Sequence, residues 1–188
     1  MSTLELKELS APAGEVIKIA SGKTLDLKSQ GTTTLPTGSV LQVKGVTMTT
    51  PTVAAIAAGW HDISALVLTI TPTSTSSKIL VQANVLGSVG AGGYLTAIRL
   101  KRGSTVIGAG SQGAAAQYNA SGISWMLNTY GGKTMSTSHI DSPSTTSATT
   151  YQIQFYANGS NNITYIGREH ESTNWATSCT LTLMEIQG

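Results

Sequence analysis

Apolar and polar residues alternate with a period of two along most of this chain, and that pattern constrains the fold more than any other feature. In Thr149–Ala157 (TTYQIQFYA) the apolar set is Tyr151, Ile153 and Phe155. Successive side chains of a β-strand point to opposite faces, so such a segment suits a sheet with one buried face. The pattern predicts strands over Ser39–Val46, Leu66–Ile70, Lys78–Gly87, Tyr94–Arg102, Ile123–Tyr130, Thr149–Ala157, Ile163–Gly167 and Thr177–Ile186.

Turn-forming residues separate the predicted strands. The clusters TPTSTSS, GSVGAGG, YGGK, DSPSTTSA and ANGSNN are rich in glycine, proline, serine, threonine and asparagine, which favour tight turns. Strands therefore recur roughly every ten to fifteen residues, with no helical segment long enough for a crossover between parallel strands. We predict an all-β fold, an antiparallel β-sandwich of jelly-roll type.

The composition favours a packed domain and argues against several functions. Of 188 residues, 11% are charged, 40% are hydrophobic and about a quarter are serine or threonine. The apolar content is enough for a core and argues against disorder. A net charge of +2, scattered along the chain, argues against nucleic-acid binding. Cys179 is the sole cysteine, which excludes an internal disulfide and a cysteine-ligated zinc site, and we predict a buried, inert thiol.

The first 38 residues differ from the remainder. Their short strand-like pieces are cut by glycine and proline and carry too little apolar mass to fold alone. We therefore predict that residues 1–38 form a short extended arm for attachment or assembly, and residues 39–188 the β-sandwich domain. Leu4, Leu6 and Leu9 fit a short helix or a strand face equally well. Neither a signal peptide nor membrane insertion is predicted, so we expect synthesis in a cytoplasm.

Two segments match parts of nucleotide-binding loops without their context. Gly108–Gly113 (GAGSQG) fits the G-x-G-x-x-G pattern, but the following AAAQYNASGISW is too short for the long helix that a dinucleotide site requires. Ala20–Thr24 (ASGKT) lacks the glycine five residues before Gly22 that a phosphate-binding loop needs. No G-x-S-x-G turn anchors a hydrolase triad. We predict no enzyme activity and no cofactor.

A dense group of charges follows the predicted strand ITYIG: Arg168, Glu169, His170 and Glu171. These residue types would suggest a metal site, but no second histidine or cysteine lies nearby in the sequence. Alternation along a strand would also separate His170 from the two acids. We predict a solvated connection without metal that contacts a neighbouring subunit or another partner surface. Tyr118 and Trp175, aromatic residues in loop-like sequence, extend this predicted contact surface.

An ordered series of segments resembles one family of proteins. The segments are SGKTLDLKSQGTTTLPTGSVLQV, TITPTSTSSKILVQANV, AIRLKRGSTVIG, HIDSPSTTSATTYQIQFYA and CTLTLMEIQG, which run from Ser21 to Gly188. The series resembles small bacteriophage virion proteins, abundant in phages of marine and freshwater bacteria, including cyanophages, and usually labelled tail fibre or structural proteins. The resemblance implies a trimeric virion component with a β-sandwich head, at a fibre tip or on the capsid surface. The chain departs from the family at PTVAAIAAGW and at REHES.

The sequence leaves three functions open. The first is a non-enzymatic, homotrimeric fibre or host-attachment module of a virion, whose arm binds other virion proteins and whose loops contact a host surface glycan. An alternative is a capsid decoration or cement protein, and a second alternative is a bacterial carbohydrate-binding lectin. The contiguous apolar VAAIAA within residues 51–60 would be unusual on the surface of a monomer, so we predict the trimer contact there.

Overall fold

The computed structural model of the chain describes residues 20–24, 35–54, 58–90, 94–111, 119–126, 132–157, 164–170 and 175–188. All regular elements in these ranges are β-strands. In chain order they are β1 (Val40–Met48), β2 (Thr52–Ala54), β3 (Gly59–Ile70), β4 (Lys78–Val89), β5 (Tyr94–Arg102), β6 (Thr105–Ile107), β7 (Gly122–Met126), β8 (Gly132–Asp141), β9 (Thr149–Ala157), β10 (Thr164–Ile166) and β11 (Cys179–Ile186). The described ranges hold no helix of the length and hydropathy that crossing a membrane requires.

Six strands form the first sheet, which is built around β4. One edge of β4 pairs with β8. The other edge pairs with β11 along its first half and with β10 along its second half. β1 lies outside β11 and β2 lies outside β10, so the sheet is four strands wide and every pair in it is antiparallel.

Five strands form the second sheet, in the order β3, β9, β5, with β6 and β7 end to end outside β5. Along the chain the strands alternate between the sheets: β1–β2 belong to the first, β3 to the second, β4 to the first, β5–β7 to the second, β8 to the first, β9 to the second and β10–β11 to the first. This alternation is the connectivity of a jelly roll. The prediction of an all-β, antiparallel sandwich of jelly-roll type is confirmed.

The core lies between the inner faces of the two sheets. It contains the residues predicted to point inward from β9 and β11, each at most 3% exposed: Tyr151, Ile153, Phe155, Cys179, Leu181 and Leu183. The Sγ atom of Cys179 accepts a hydrogen bond from the Leu86 backbone N–H at 3.4 Å. Burial raises the pKa of this thiol, which disfavours the reactive thiolate.

Strand β8 was not predicted from the sequence because its inner face is mostly polar. Alternation with the buried Met135 places Thr137, His139 and Asp141 on that face. The first part of β3, from Gly59, was missed for another reason. Its pairing with β9 shifts register between Asp62 and Val67, and a shift of this kind interrupts the period of two.

Two buried carboxylates close one end of the core, which we call the carboxylate end. Asp141 and Glu185 flank Ile79 of β4 in a single cross-strand row. The carboxylate of Glu185 accepts four hydrogen bonds, from Gln42 Nε2 (2.6 Å), the Thr73 N–H (2.6 Å), Thr73 Oγ1 (2.7 Å) and Ser77 Oγ (2.7 Å). Burial alone would raise the pKa of Glu185, but these bonds outweigh it and hold the pKa below its ordinary value. The hydroxyl-rich run TPTSTSS therefore encloses an ionised side chain.

The carboxylate of Asp141 is held by residues of the second sheet. Arg102 Nη1 donates to both of its oxygens at 2.9 Å, and the Tyr151 hydroxyl donates to Oδ2 at 2.7 Å. Burial and this hydrogen bond raise the pKa of the Tyr151 phenol above its ordinary value. The bonds tie the edge strand β8 to the opposite sheet.

All eleven strands belong to one compact unit, Pro36–Gly188. The N–H of Gly38 donates to the carbonyl of Gln187, and the N–H of Gln187 donates to the carbonyl of Ser39, both at 2.8 Å. Most of residues 1–38 lies outside the described ranges. The boundary after residue 38 and the role of the arm stay predictions.

Candidate functional site

The predicted charge cluster lies at the end of β10, around an aromatic ring. The guanidinium carbon of Arg168 is 4.1 Å from the ring centroid of Tyr165, a distance at which the ring face attracts a cation. The His170 ring meets the same ring edge-on, with centroids 5.0 Å apart. We call Tyr165, Arg168 and His170 the Tyr165 cluster.

Backbone contacts hold this cluster in place. Gly167 adopts a positive φ of 81°, which turns the chain out of β10, and its N–H donates to the carbonyl of Leu86 at 2.9 Å. Ser88 Oγ then donates to the carbonyl of Arg168 at 2.8 Å. Arg168 also pairs with Ala176 in an isolated antiparallel bridge. The cluster is thereby fixed to the second half of β4.

Because glycine has no side chain, Gly90 leaves room for the His170 ring. A Cβ atom at Gly90 would lie 2.7 Å from His170 Nε2, closer than carbon and nitrogen atoms approach. The other ring nitrogen, Nδ1, is buried, and so is Thr164 Oγ1. Neither atom has a hydrogen-bond partner in the part of the chain that the structure describes. Buried polar atoms are normally paired, so each of these two atoms could still take part in a hydrogen bond.

The structure brings some of the predicted site residues together and leaves others unplaced. Arg168 and His170 share the Tyr165 ring, and half-buried Glu169 lies between them in the chain. Trp175 is 73% exposed and precedes Ala176, the bridge partner of Arg168. Tyr118 and Glu171 lie outside the described residues. Tyr165, at the centre of the cluster, was not predicted as a site residue, although strand alternation places it on the opposite face from the buried Thr164 and Ile166.

Gly108, from the glycine-rich GAGSQG, has a packing role. Its φ is +59°, and a Cβ there would lie 2.7 Å from Cγ of His139. Across the described ranges, no three His, Cys, Asp or Glu side chains are grouped so that they could hold a metal ion. The absence of enzyme activity, cofactor and metal stays a prediction.

The outer face of the second sheet carries a connected series of polar and aromatic side chains, which we call the polar ladder. Arg99 Nε donates to Gln154 Oε1 at 2.7 Å, and Gln154 Nε2 donates to Asp62 Oδ1 at 2.6 Å. The Arg99 guanidinium carbon lies 4.2 Å from the ring centroid of Trp60. Lys101 Nζ is 3.9 Å from Asp62 Oδ1. The ladder places opposite charges next to one another.

The outer face of the first sheet has a different composition. Alternation and burial along β8, β4, β11 and β1 identify twelve residues in three neighbouring rows of this face. They are Ser136, Ser138, Ile140, Leu80, Gln82, Asn84, Thr180, Thr182, Met184, Val43, Gly45 and Thr47. None of these residues is charged, and we call this set of three rows the uncharged face. The nearest charge on the same side of the sheet is Lys78, one row beyond Leu80 on β4. A shallow depression of about 330 Å³ lies on it, between hydroxyl and amide side chains of β8, β4 and β11.

Comparison with known proteins identifies no family for this chain. No family model matches the chain, and no curated protein is similar to it. The structure of infectious bursal disease virus, Gx strain, contains a similar chain, with 11% sequence identity and a TM-score of 0.39. The similarity covers 87% of this chain and 42% of the viral chain, so this chain spans less than half the length of that neighbour. A TM-score this low carries no argument about function, and the sequence resemblance to phage virion proteins stays a prediction.

Proposed function

We propose that this chain is a non-enzymatic structural protein of a bacteriophage virion, a homotrimeric fibre or host-attachment module. The observation that carries the proposal is the uncharged face, which spans four strands of a jelly roll and exposes aliphatic side chains at both of its edges. Such a surface suits contact with another protein better than contact with water. The fold alone does not indicate a function, because jelly rolls serve in capsids, lectins and enzymes. The resemblance of the ordered segments to phage virion proteins supports the same proposal.

Quantitative mass spectrometry of purified virions tests this proposal. A chain present at a few to a few dozen copies per particle supports the fibre or attachment module. Copies in the hundreds would favour a capsid decoration protein, and a chain missing from purified virions would contradict both.

The polar ladder favours one other candidate, a carbohydrate-binding lectin. The Asp62 side chain is 53% exposed, and the Trp60 ring lies on the same face of β3, two residues away. A carboxylate oxygen beside an aromatic ring matches the hydroxyl groups and apolar face of a sugar. Glycan-array binding by the wild type that Asp62→Ala abolishes would support the lectin. Binding that Asp62→Ala leaves unchanged would contradict this location.

A further inference from the structure

The uncharged face consists of rows that cross the first sheet from β8 to β1. The strand register aligns Ile140, Leu80, Met184 and Val43 in one row, which we call the apolar row. The next two rows hold hydroxyl and amide groups: Ser138, Gln82, Thr182 and Gly45, then Ser136, Asn84, Thr180 and Thr47. The face is thus striped across its strands, with the apolar row along one side of the polar depression.

Both ends of the apolar row are exposed. Ile140 on β8 is 59% exposed and Val43 on β1 is 57% exposed, while Leu80 and Met184 between them are half-buried. β8 and β1 are the edge strands at this height of the sheet. The apolar row therefore opens toward a neighbour at each edge.

The lack of charge decides which neighbour fits. Like charges in contact across an interface are costly, so a charged face seldom packs against its own copy without compensating pairs. The three rows of the uncharged face bring no such repulsion, and they offer no charge that a differently charged partner could recognise. Lys78, in the row beyond them, donates to Ser142 Oγ of its own chain at 2.9 Å. A second copy of this chain is the occupant that this composition suits.

Rotational symmetry would align equivalent rows of neighbouring copies. A rotation axis parallel to the strands leaves every cross-strand row at its own height, whatever the number of copies. In a trimer built on such an axis, the β8 edge of one copy approaches the β1 edge of the next, so that apolar side chains meet apolar ones and hydroxyl groups meet hydroxyl groups. We propose that the uncharged face is the contact surface between copies of this chain, with Ile140 of one copy against Val43 of the next. The inference rests on the self-association in the proposed function. The predicted contact at VAAIAA stays a prediction, because residues 55–57 lie outside the described ranges.

Single substitutions at each end of the apolar row test the contact. Ile140→Glu would bury a carboxylate without a partner, so we expect about a 100-fold or larger rise in the dissociation constant between copies. Light scattering over a concentration series would then give 19.4 kDa where the wild type has three times that mass. Val43→Lys should have the same effect from the other side. Ile123→Glu is the matched control, because Ile123 is 61% exposed on the outer face of the second sheet, and it should leave association unchanged.

Combining the two substitutions tests the pairing itself. Ile140→Glu with Val43→Lys places opposite charges in contact, and we expect association to return to within about tenfold of the wild type. Circular dichroism and thermal melting of each variant show whether it is folded, and Val43→Lys alone serves if Ile140→Glu does not fold. A monomeric wild type at micromolar concentration, equal effects of Ile140→Glu and Ile123→Glu, or no recovery in the double variant would overturn the inference. Association that depends on Ile140 in a chain missing from virions would overturn the proposed function and leave the contact standing.

Discussion

At the carboxylate end, Glu185 accepts four hydrogen bonds and Asp141 accepts bonds from Arg102 and Tyr151. At the other end of β4, beside the Tyr165 cluster, two buried polar atoms have no partner among the described residues. A buried polar group costs free energy unless it is hydrogen-bonded. The carboxylate end therefore contributes specific contacts that stabilise the jelly roll. The end of the sandwich beside the Tyr165 cluster, which we call the Tyr165 end, is expected to contribute less to stability, and we propose it as the better candidate for recognition.

The largest expected effect concerns the carboxylate end. Arg102→Met removes the cation from Asp141 and leaves a buried charge with one hydrogen bond, from Tyr151. Removing one partner of a buried ion pair is strongly destabilising, and we expect a loss of about 3 kcal/mol in the free energy of unfolding. Urea titration at pH 7 measures it.

The neighbouring Lys101→Met is the matched control for Arg102→Met. Its partner Asp62 is 53% exposed and 3.9 Å away, so the loss should be below about 0.5 kcal/mol. Asp141→Asn added to Arg102→Met should restore part of the stability, because it removes the unpaired charge. Equal losses from Arg102→Met and Lys101→Met would show that the two ion pairs do not differ as the structure indicates.

Glu185→Gln should cost less, about 1 to 2 kcal/mol, because the amide oxygen keeps some of the donors while the amide nitrogen opposes others. The variant also tests a pH dependence. The pKa of Glu185 is lower in the folded than in the unfolded chain. Its contribution is therefore fully present above the unfolded pKa of about 4.3 and is lost as pH falls through the folded pKa. The difference in unfolding free energy between wild type and Glu185→Gln should shrink below about pH 4, and a constant difference from pH 7 to pH 3 would contradict the assignment.

Much of the fold could be predicted from local alternation, whereas the carboxylate end could not. The bounds of β5 and β9 match their predictions, and each strand directs apolar side chains inward: Ile98 and Leu100 from β5, and Tyr151, Ile153 and Phe155 from β9. Glu185 continues the inward series of Cys179, Leu181 and Leu183, where hydropathy predicts an exposed side chain. Its donors come from Gln42, Thr73 and Ser77, far away in sequence, so the compensation becomes visible only in the folded chain.

The candidate site was also predictable only in part, because local features are visible in the sequence and contacts between distant segments are not. The charge cluster and Trp175 stand out in a chain with few charges, and their position after a strand was clear from the sequence. The central position of Tyr165 was not predictable, because the sequence does not show which neighbours surround an outward ring. The close approach of Gly90 to His170 joins two segments that are distant in sequence, and glycine in a turn cluster gives no indication of it.

A smaller effect is expected at the Tyr165 end. Gly90→Ala would place a Cβ 2.7 Å from His170 Nε2 and push the ring away from Tyr165, at a cost of about 1 kcal/mol. In a His170→Ala background the same change should be nearly neutral, since the obstructing ring is gone. A double-mutant cycle by thermal melting measures this coupling. Purely additive effects would show that Gly90 and His170 do not interact.

The smallest effect on stability is expected from Trp175→Ser. The indole is 73% exposed, and substitutions at exposed positions usually change the free energy of unfolding by less than about 0.5 kcal/mol. Large exposed aromatic rings are common at the centres of protein and glycan contacts, so the change should instead reduce adsorption of particles to host cells. Adsorption kinetics measure this effect. Virions that carry Trp175→Ser are compared with control virions that carry Ile123→Ser, a change at another exposed apolar residue. A drop in melting temperature of more than about 3 °C would mean that Trp175 packs within its own subunit. Unchanged melting together with unchanged adsorption would show that the Tyr165 end takes no part in recognition. The polar ladder would then be the next surface to test.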